Sequence, residues 1–222
     1  TFDGDMQIFG LTFGSDLLYN KSAMITVIDY GAGNLKSVCN ALAFLGVKSE
    51  VTGDADKVAR ADKLILPGVG AFGVCMEKLR SLSLDEAIKS AAGAGTPVLG
   101  ICLGLQMLFD RSEEFGMHDG LGLLPGEVRR INSGSLPLPH IAWTSVEVRG
   151  GRLMSGIKSG EFFYFVHSYC ARAARKEDEA AVASYGETFT AAAERDNVFG
   201  VQFHPEKSGE RGLALLKNFI GV

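Results

Sequence analysis

Three short stretches of this chain hold residue types whose spacing could do chemistry. The first is Gly100-Ile101-Cys102-Leu103-Gly104, a cysteine with glycine two positions to either side. Between a strand and a helix, such glycines permit a sharp turn that lifts the middle side chain out of the sheet. This is the nucleophile-elbow pattern with sulfur in place of oxygen. The thiol would then sit at the start of the next helix, where free N–H groups and the helix dipole favour thiolate. The Leu103 N–H would be an oxyanion donor. The alternative is a buried core cysteine.

A cysteine nucleophile calls for a histidine base, and the chain has four histidines. His118 lies in a polar loop and His140 in a proline-rich one. His167 falls inside FFYFVHSY, where a satisfied core or surface histidine is the default reading. His204 ends the run FGVQFH and precedes Pro205 and Glu206. Proline biases its predecessor towards extended geometry, where residues i and i+2 share a side. His204 and Glu206 would then face one way, a carboxylate fixing the tautomer of an imidazole. The alternative is a strand end with a solvated glutamate. The third stretch, Pro67-Gly68-Val69-Gly70-Ala71-Phe72-Gly73, lets backbone N–H groups approach a ligand. It could form a phosphate nest or the second half of an oxyanion hole. It lacks a P-loop lysine, which weakens a nucleotide reading.

The elements that must position these residues follow from apolar periodicity. Met24–Asp29, Lys48–Thr52, Lys63–Leu66 and Pro97–Cys102 read as strands. Helices are expected over Leu35–Leu45 with Asn34 as cap and Gly46 as stop, over Val74–Ala91, and over Leu103–Arg111. This alternation implies a parallel sheet covered on both faces, with Cys102 and the 67–73 loop at strand C-terminal ends, where ligands bind. Further strands are expected over Val128–Ile131, Ile141–Val148, Glu161–Tyr169, Ala181–Tyr185, Phe189–Glu194 and Val198–Phe203. They suggest an antiparallel extension of the same sheet, closed by a helix over Gly209–Ile220 capped by Ser208. The fold class is therefore α/β: an open, twisted, mostly parallel sheet flanked by helices.

Composition sets the outer limits. The chain has 222 residues, 46% of them hydrophobic and 22% charged, which fits one globular domain. Its 28 glycines show no three-residue period. The net charge of −4 argues against a nucleic-acid footprint or a polybasic membrane anchor. No apolar run reaches the ~18 residues of a membrane span. Cys39, Cys75, Cys102 and Cys170 are spaced for neither a zinc site nor a disulfide framework, which fits reduced thiols in a cytoplasmic protein. Residues 1–23 carry Asp3, Asp5 and Asp16 with no basic residue before Lys21, unlike a secretory signal. They read as an extension outside the fold, with an extra edge strand over Met6–Phe13 as the alternative. The functional domain is expected over 24–222.

Taken together, GICLGLQML around Cys102, FGVQFHPEKS ending at Ser208 and PGVGAFG at 67–73 resemble the triad-type, class I glutamine amidotransferases. DYGAGNL, LFDRSEEFG, GLGLLPGEV, LPLPHIAW and YFVHSY narrow the resemblance to the glutaminase subunits of imidazole glycerol phosphate synthase in histidine biosynthesis. It covers about residues 24–222. The resemblance implies a flavodoxin-like fold and hydrolysis of glutamine to glutamate and ammonia, with no metal or cofactor. It also implies a heterodimer with a (β/α)8-barrel cyclase that consumes the ammonia.

Carried over by motif, Cys102 is the nucleophile, His204 the general base and acid, and Glu206 its orienter. Val69, Gly70 and Leu103 would form the oxyanion hole, the 67–70 loop having to flip into place. Gly68, Gln106, His167, Ser168 and Tyr169 would hold substrate, and Asn34, Trp143, Tyr164 and Lys207 would lie at the partner interface. One departure is Ala142-Trp143-Thr144, where the family often has Gly-Trp-Asn; it puts the polar contact beside Trp143 in doubt. Three other readings stay open. The glutaminase could serve another acceptor, as in anthranilate, GMP or pyridoxal phosphate synthesis. The chain could be a catalytically silent regulatory relative, or a cysteine hydrolase of the same fold acting on another substrate.

Overall fold

The structure, a computed structural model, describes residues 24–222, so the expectation about residues 1–23 lies outside the described residues. The first half alternates strand and helix. In order it holds β1 (Ile25–Ile28), α1 (Leu35–Phe44), β2 (Ser49–Thr52), α2 (Ala55–Ala59), β3 (Lys63–Gly68), α3 (Phe72–Ser81), α4 (Leu84–Gly93), β4 (Val98–Cys102) and α5 (Leu103–Leu108). The second half is mostly strand. It runs through β5 (Phe109–Ser112), β6 (His118–Asp119), β7 (Leu124–Arg130), β8 (His140–Ser145), β9 (Glu147–Val148), β10 (Phe162–His167) and β11 (Tyr169–Ala173). After these come β12 (Glu179–Tyr185), β13 (Glu187–Arg195), β14 (Val198–Val201) and the closing helix α6 (Gly209–Gly221).

The main sheet has eight strands in the order β2-β1-β3-β4-β14-β13-β12-β9. The five from β2 to β14 are parallel and the remaining three join antiparallel. Residues alternate between two cores. Ile25, Val27, Ile65 and Ile101 face Leu42 of α1 and Leu216 and Phe219 of α6. Ile28, Leu64, Leu66 and Val98 face Met76, Leu79, Ile88 and Met107 of α3, α4 and α5. Each such fully buried side chain contributes about 1.5–3 kcal/mol, so the two faces together fix the strand register.

Several expectations are corrected. The stretch 74–91 is two helices, because Ser83 adopts a left-handed φ of 56° and Asp85 and Glu86 then favour a fresh helix start. α2 was not anticipated; five residues are too few for a period, and it stands on the Asp54 side chain, which accepts from the N–H groups of Asp56 and Lys57. The late strands do not form a single extension. β12, β13 and β9 extend the main sheet, whereas β8 and β10 pair with each other, and β11, β7, β5 and β6 form a third sheet. The stretch Glu161–Tyr169 is accordingly broken at Ser168, where the chain crosses from β10 into β11.

Candidate active site

β4 ends at Cys102 with φ 56° and ψ −110°, a conformation that non-glycine residues rarely hold. Neighbouring backbone imposes it. A side chain on Gly100 would meet the Gly104 carbonyl at 2.6 Å, and one on Gly68 would meet the Gly104 nitrogen at 2.7 Å. The first turn of α5 therefore rests directly on the ends of β3 and β4. The elbow is tight because both strand ends lack a Cβ. α5 is six residues long and stops at Leu108, shorter than the expected helix to Arg111, where Phe109 turns into β5. That leaves less helix dipole at the sulfur than the sequence suggested.

The imidazole comes from the chain after β14. His204 donates its backbone N–H to the Tyr164 carbonyl at 2.9 Å, which pins it beside β10. Its carbonyl accepts from Ser208 Oγ at 2.6 Å and from Lys207 N at 3.0 Å. Residues 205–207 thus form a 3-10 turn rather than the extended run expected, because the φ fixed by Pro205 suits both conformations. The pairing survives: His204 Nδ1 donates to Glu206 Oε1 at 2.9 Å, and both side chains are almost fully buried. Asn34 Nδ2 donates to the same oxygen at 3.2 Å, so Asn34 touches the carboxylate instead of capping α1. Ser208 likewise spends its hydroxyl on His204 instead of capping α6.

With Nδ1 committed, Nε2 is the free nitrogen. It is buried with no protein partner of good hydrogen-bond geometry, while the Cys102 sulfur is close enough to act on its protonation. Burial pulls the His204 pKa down, but hydrogen bonding and charge from Cys102 and Glu206 outweigh it and hold it at about 10. The imidazole therefore keeps both ring protons around neutral pH, Nδ1 held by Glu206 and Nε2 turned to the sulfur.

Cys102 and His204 open on one cleft of about 310 Å3. Val69, Gly70, Leu103 and Gln106 line it on the elbow side, and His167, Ser168 and Tyr169 line it where β10 crosses to β11. Gly68 lies beneath, against α5. The sequence reading missed three lining residues: Glu114, Pro139 and Val166. Glu114 is the sole carboxylate in the lining among the described residues. Burial raises its pKa, and its Oε2 accepts from the Phe72 N–H at 2.7 Å. It belongs to no periodic element, so only its quoted neighbourhood LFDRSEEFG could have flagged it.

The model of the family "Glutamine amidotransferase class-I" matches residues 26–222. The imidazole glycerol phosphate synthase subunit HisH of Moorella thermoacetica is 50% identical over 196 residues, covering 88% of this chain and 93% of the relative. That of Syntrophotalea carbinolica is 48% identical over 203 residues, covering 88% and 98%. The chain belongs to the class I glutamine amidotransferases. Among solved structures, PurLQS from Thermotoga maritima superposes on this amidotransferase with TM-score 0.69 at 22% identity, covering 89% of this chain and 97% of that one, a likeness of fold.

The far wall of the amidotransferase cleft has a determined proton arrangement. His167 Nδ1 lies 2.9 Å from the Tyr169 carbonyl, which can only accept, so Nδ1 carries the proton and Nε2 does not. His140 Nδ1, at 3.1 Å, must then donate to His167 Nε2, and the Thr144 hydroxyl must donate to His140 Nε2 at 2.7 Å. Thr144 at the departing Ala-Trp-Thr position is thereby engaged inwards. Burial holds the His167 pKa down at about 3 and lowers that of His140. Both are therefore neutral when folded. The His167 contribution is complete above the unfolded value near 6.5 and is lost as pH falls towards 3, and that of His140 is lost in the same direction. For His167 alone the loss reaches about 3 kcal/mol by pH 4. Urea unfolding at pH 7, 5 and 4 should show a clearly flatter pH dependence for His167→Asn than for the unsubstituted chain; parallel curves would refute the buried neutral pair.

The four expected interface residues also gather. On the outward face of the β8–β10 pair, Trp143 packs edge-on to Tyr164 with ring centroids 6.2 Å apart, and Lys207 Nζ lies 5.8 Å over the Tyr164 ring. Asn34 joins them through Glu206. Ile141, Trp143 and Phe162 leave that face apolar and exposed.

Proposed function

We propose that residues 24–222 act as the glutaminase subunit of an imidazole glycerol phosphate synthase, a cytoplasmic heterodimer with a cyclase. The observation that carries the reading is one cleft lined by the strained Cys102 elbow, by His204 with Glu206 behind it, and by the carboxylate of Glu114. Glu114 offers a counter-charge for the α-ammonium group of an amino acid, and Gln106, His167, Ser168 and Tyr169 surround the remaining space.

In the first half-reaction the Cys102 sulfur attacks the amide carbon of glutamine while the proton is held on His204 Nε2. Backbone N–H groups of Leu103 and Gly70 hold the oxyanion. The carbon–nitrogen bond then breaks, His204 returns the proton to the nitrogen, and ammonia leaves a γ-glutamyl thioester. In the second half His204 takes a proton from water, whose oxygen attacks the thioester. The carbon–sulfur bond breaks, glutamate departs, and the proton held on His204 restores the starting cysteine–histidine pair. Ammonia leaves towards the apolar β8–β10 face, which suits docking of a barrel partner and keeps the nucleophile out of bulk water.

Glutamate release should be measured for the chain alone, with the cyclase subunit, and with cyclase plus its nucleotide ligand. Completing an oxyanion hole adds roughly 10²–10³ in rate, so the loaded complex should exceed the isolated chain by at least that margin. Full activity without partner would remove the gating, and stimulation by another synthase instead would reassign the acceptor.

A further inference from the structure

We infer that Gln202 is a positioning residue for the Cys102 sulfur, its side-chain amide donating a hydrogen bond to the nucleophile. The inference rests on Cys102 being that nucleophile. Amide ends are chemically distinct but similar in shape, so their orientation is set by a neighbouring group with no choice of role. The Tyr169 carbonyl can only accept, and the Gln106 side-chain nitrogen lies 2.8 Å from it, which fixes the orientation of Gln106. The second proton of the same nitrogen points to Gln202 Oε1 at 3.0 Å. Gln202 is thereby turned with its oxygen to Gln106 and its nitrogen to Cys102 Sγ, 3.7 Å away. The opposite orientation would set two amide nitrogens against each other and aim a carbonyl at the sulfur.

Gln202 is fully buried, a placement that demands partners for both ends of its amide. Besides His204, the Val166 carbonyl, an acceptor, also lies against the sulfur at 3.9 Å. It suits the neutral thiol, which can donate to it, and opposes the thiolate. The Gln202 N–H does the reverse. With α5 only six residues long, this local donor supplies stabilisation that the sequence reading had assigned to a helix dipole. Gln202 lies two residues before His204, the spacing that shares a side in extended backbone, so a signal was present in FGVQFH.

The test is the pH dependence of Cys102 alkylation by iodoacetamide in the full chain, compared with Gln202→Met, which keeps bulk and loses the donor, and Gln202→Glu, which turns an oxygen to the sulfur. The Met variant should displace the pH–rate curve upwards by roughly one pH unit, the size expected of one hydrogen bond to a charged atom, and react about tenfold more slowly at neutral pH. The Glu variant should be slower still. A folded Met variant with an unmoved curve and only a lower thermal midpoint overturns the inference, because a purely structural amide would behave that way.

A second readout needs no Gln202 variant. The side-chain amide 15N resonance of Gln202 should follow the ionisation of Cys102 and lose that response in Cys102→Ala; a resonance blind to pH in the unsubstituted chain overturns the inference. If Cys102 itself reacts no faster than Cys39, Cys75 and Cys170, the nucleophile assignment falls and takes this inference with it. A reactive Cys102 with an unmoved Met curve removes Gln202 alone.

Discussion

Cys102→Ala is expected to lower glutamine hydrolysis by the partner-loaded complex by at least about 10⁴-fold while the chain remains folded. Alanine keeps the β-carbon and so keeps the backbone demand of the elbow, whose φ of 56° is imposed by the glycine-packed ends of β3 and β4. Only the sulfur goes, and with it the atom that forms the thioester. The variant also tests the electrostatics of the pair. Cys102 and Glu206 together raise the His204 pKa to about 10, so deleting the sulfur should lower it, as read from the imidazole NMR shifts. A raised histidine pKa stabilises the fold fully below the unfolded value near 6.5 and loses that contribution as pH climbs through about 10. The alanine variant should accordingly be less sensitive to alkali across that window. Retained turnover would sink the proposed mechanism, and an unchanged His204 titration would sink the ion-pair reading.

Legibility in the sequence followed how local the determining physics is. The elbow could be read because its glycines sit within two residues of the cysteine and have one geometric use there. The parallel half of the sheet could be read because buried β-branched runs alternate with amphipathic helices. The 3-10 turn under His204 could not, since Pro205 fixes a φ near −65° that extended and 3-10 backbone share. The break at Ser83 was hidden because Leu82 and Leu84 continue an apolar pattern while the backbone turns left-handed. The assignment of the late strands to three sheets depends on pairing between residues far apart in sequence, and alternation says which face is buried without saying against what. Glu114 escaped because it reaches the cleft from a turn, and the Thr144–His140–His167 chain because it needs the β8–β10 register, which sets His140 opposite His167 across 27 residues of sequence.

The crossing at Ser168 connects these points to the site. β10 delivers His167 and pins His204 through Tyr164, while β11 delivers the Tyr169 carbonyl that orients both His167 and Gln106. A continuous strand would alternate side chains across one sheet. The break lets two sheets converge on one cleft, so the wall facing Cys102 is built from backbone polarity and the neutral imidazole of His167, backed by His140.

Gly104→Ala is expected to destabilise the chain by about 3 kcal/mol or more and to lose most of its activity. The added methyl would fall 1.8 Å from the Leu66 carbonyl oxygen, far inside contact distance. Overpacked cores usually yield by moving side chains, but this contact is against backbone within β3, which is hydrogen-bonded to β1 on one side and β4 on the other. The only relief is to lift α5 from the strand ends. That movement carries the Leu103 N–H and Gln106 away from the sulfur, and a misplacement of ~1 Å is enough to cost about 10²-fold in rate. At roughly 2–4 °C per kcal/mol for a chain of this length, the thermal midpoint should fall by about 10 °C. Gly221→Ala, at the end of α6 with open space around its Cβ position, serves as the control and should shift neither quantity. A Gly104→Ala chain that melts and turns over like the control would mean that α5 does not rest on β3 as described, and the geometric basis of the elbow would go with it.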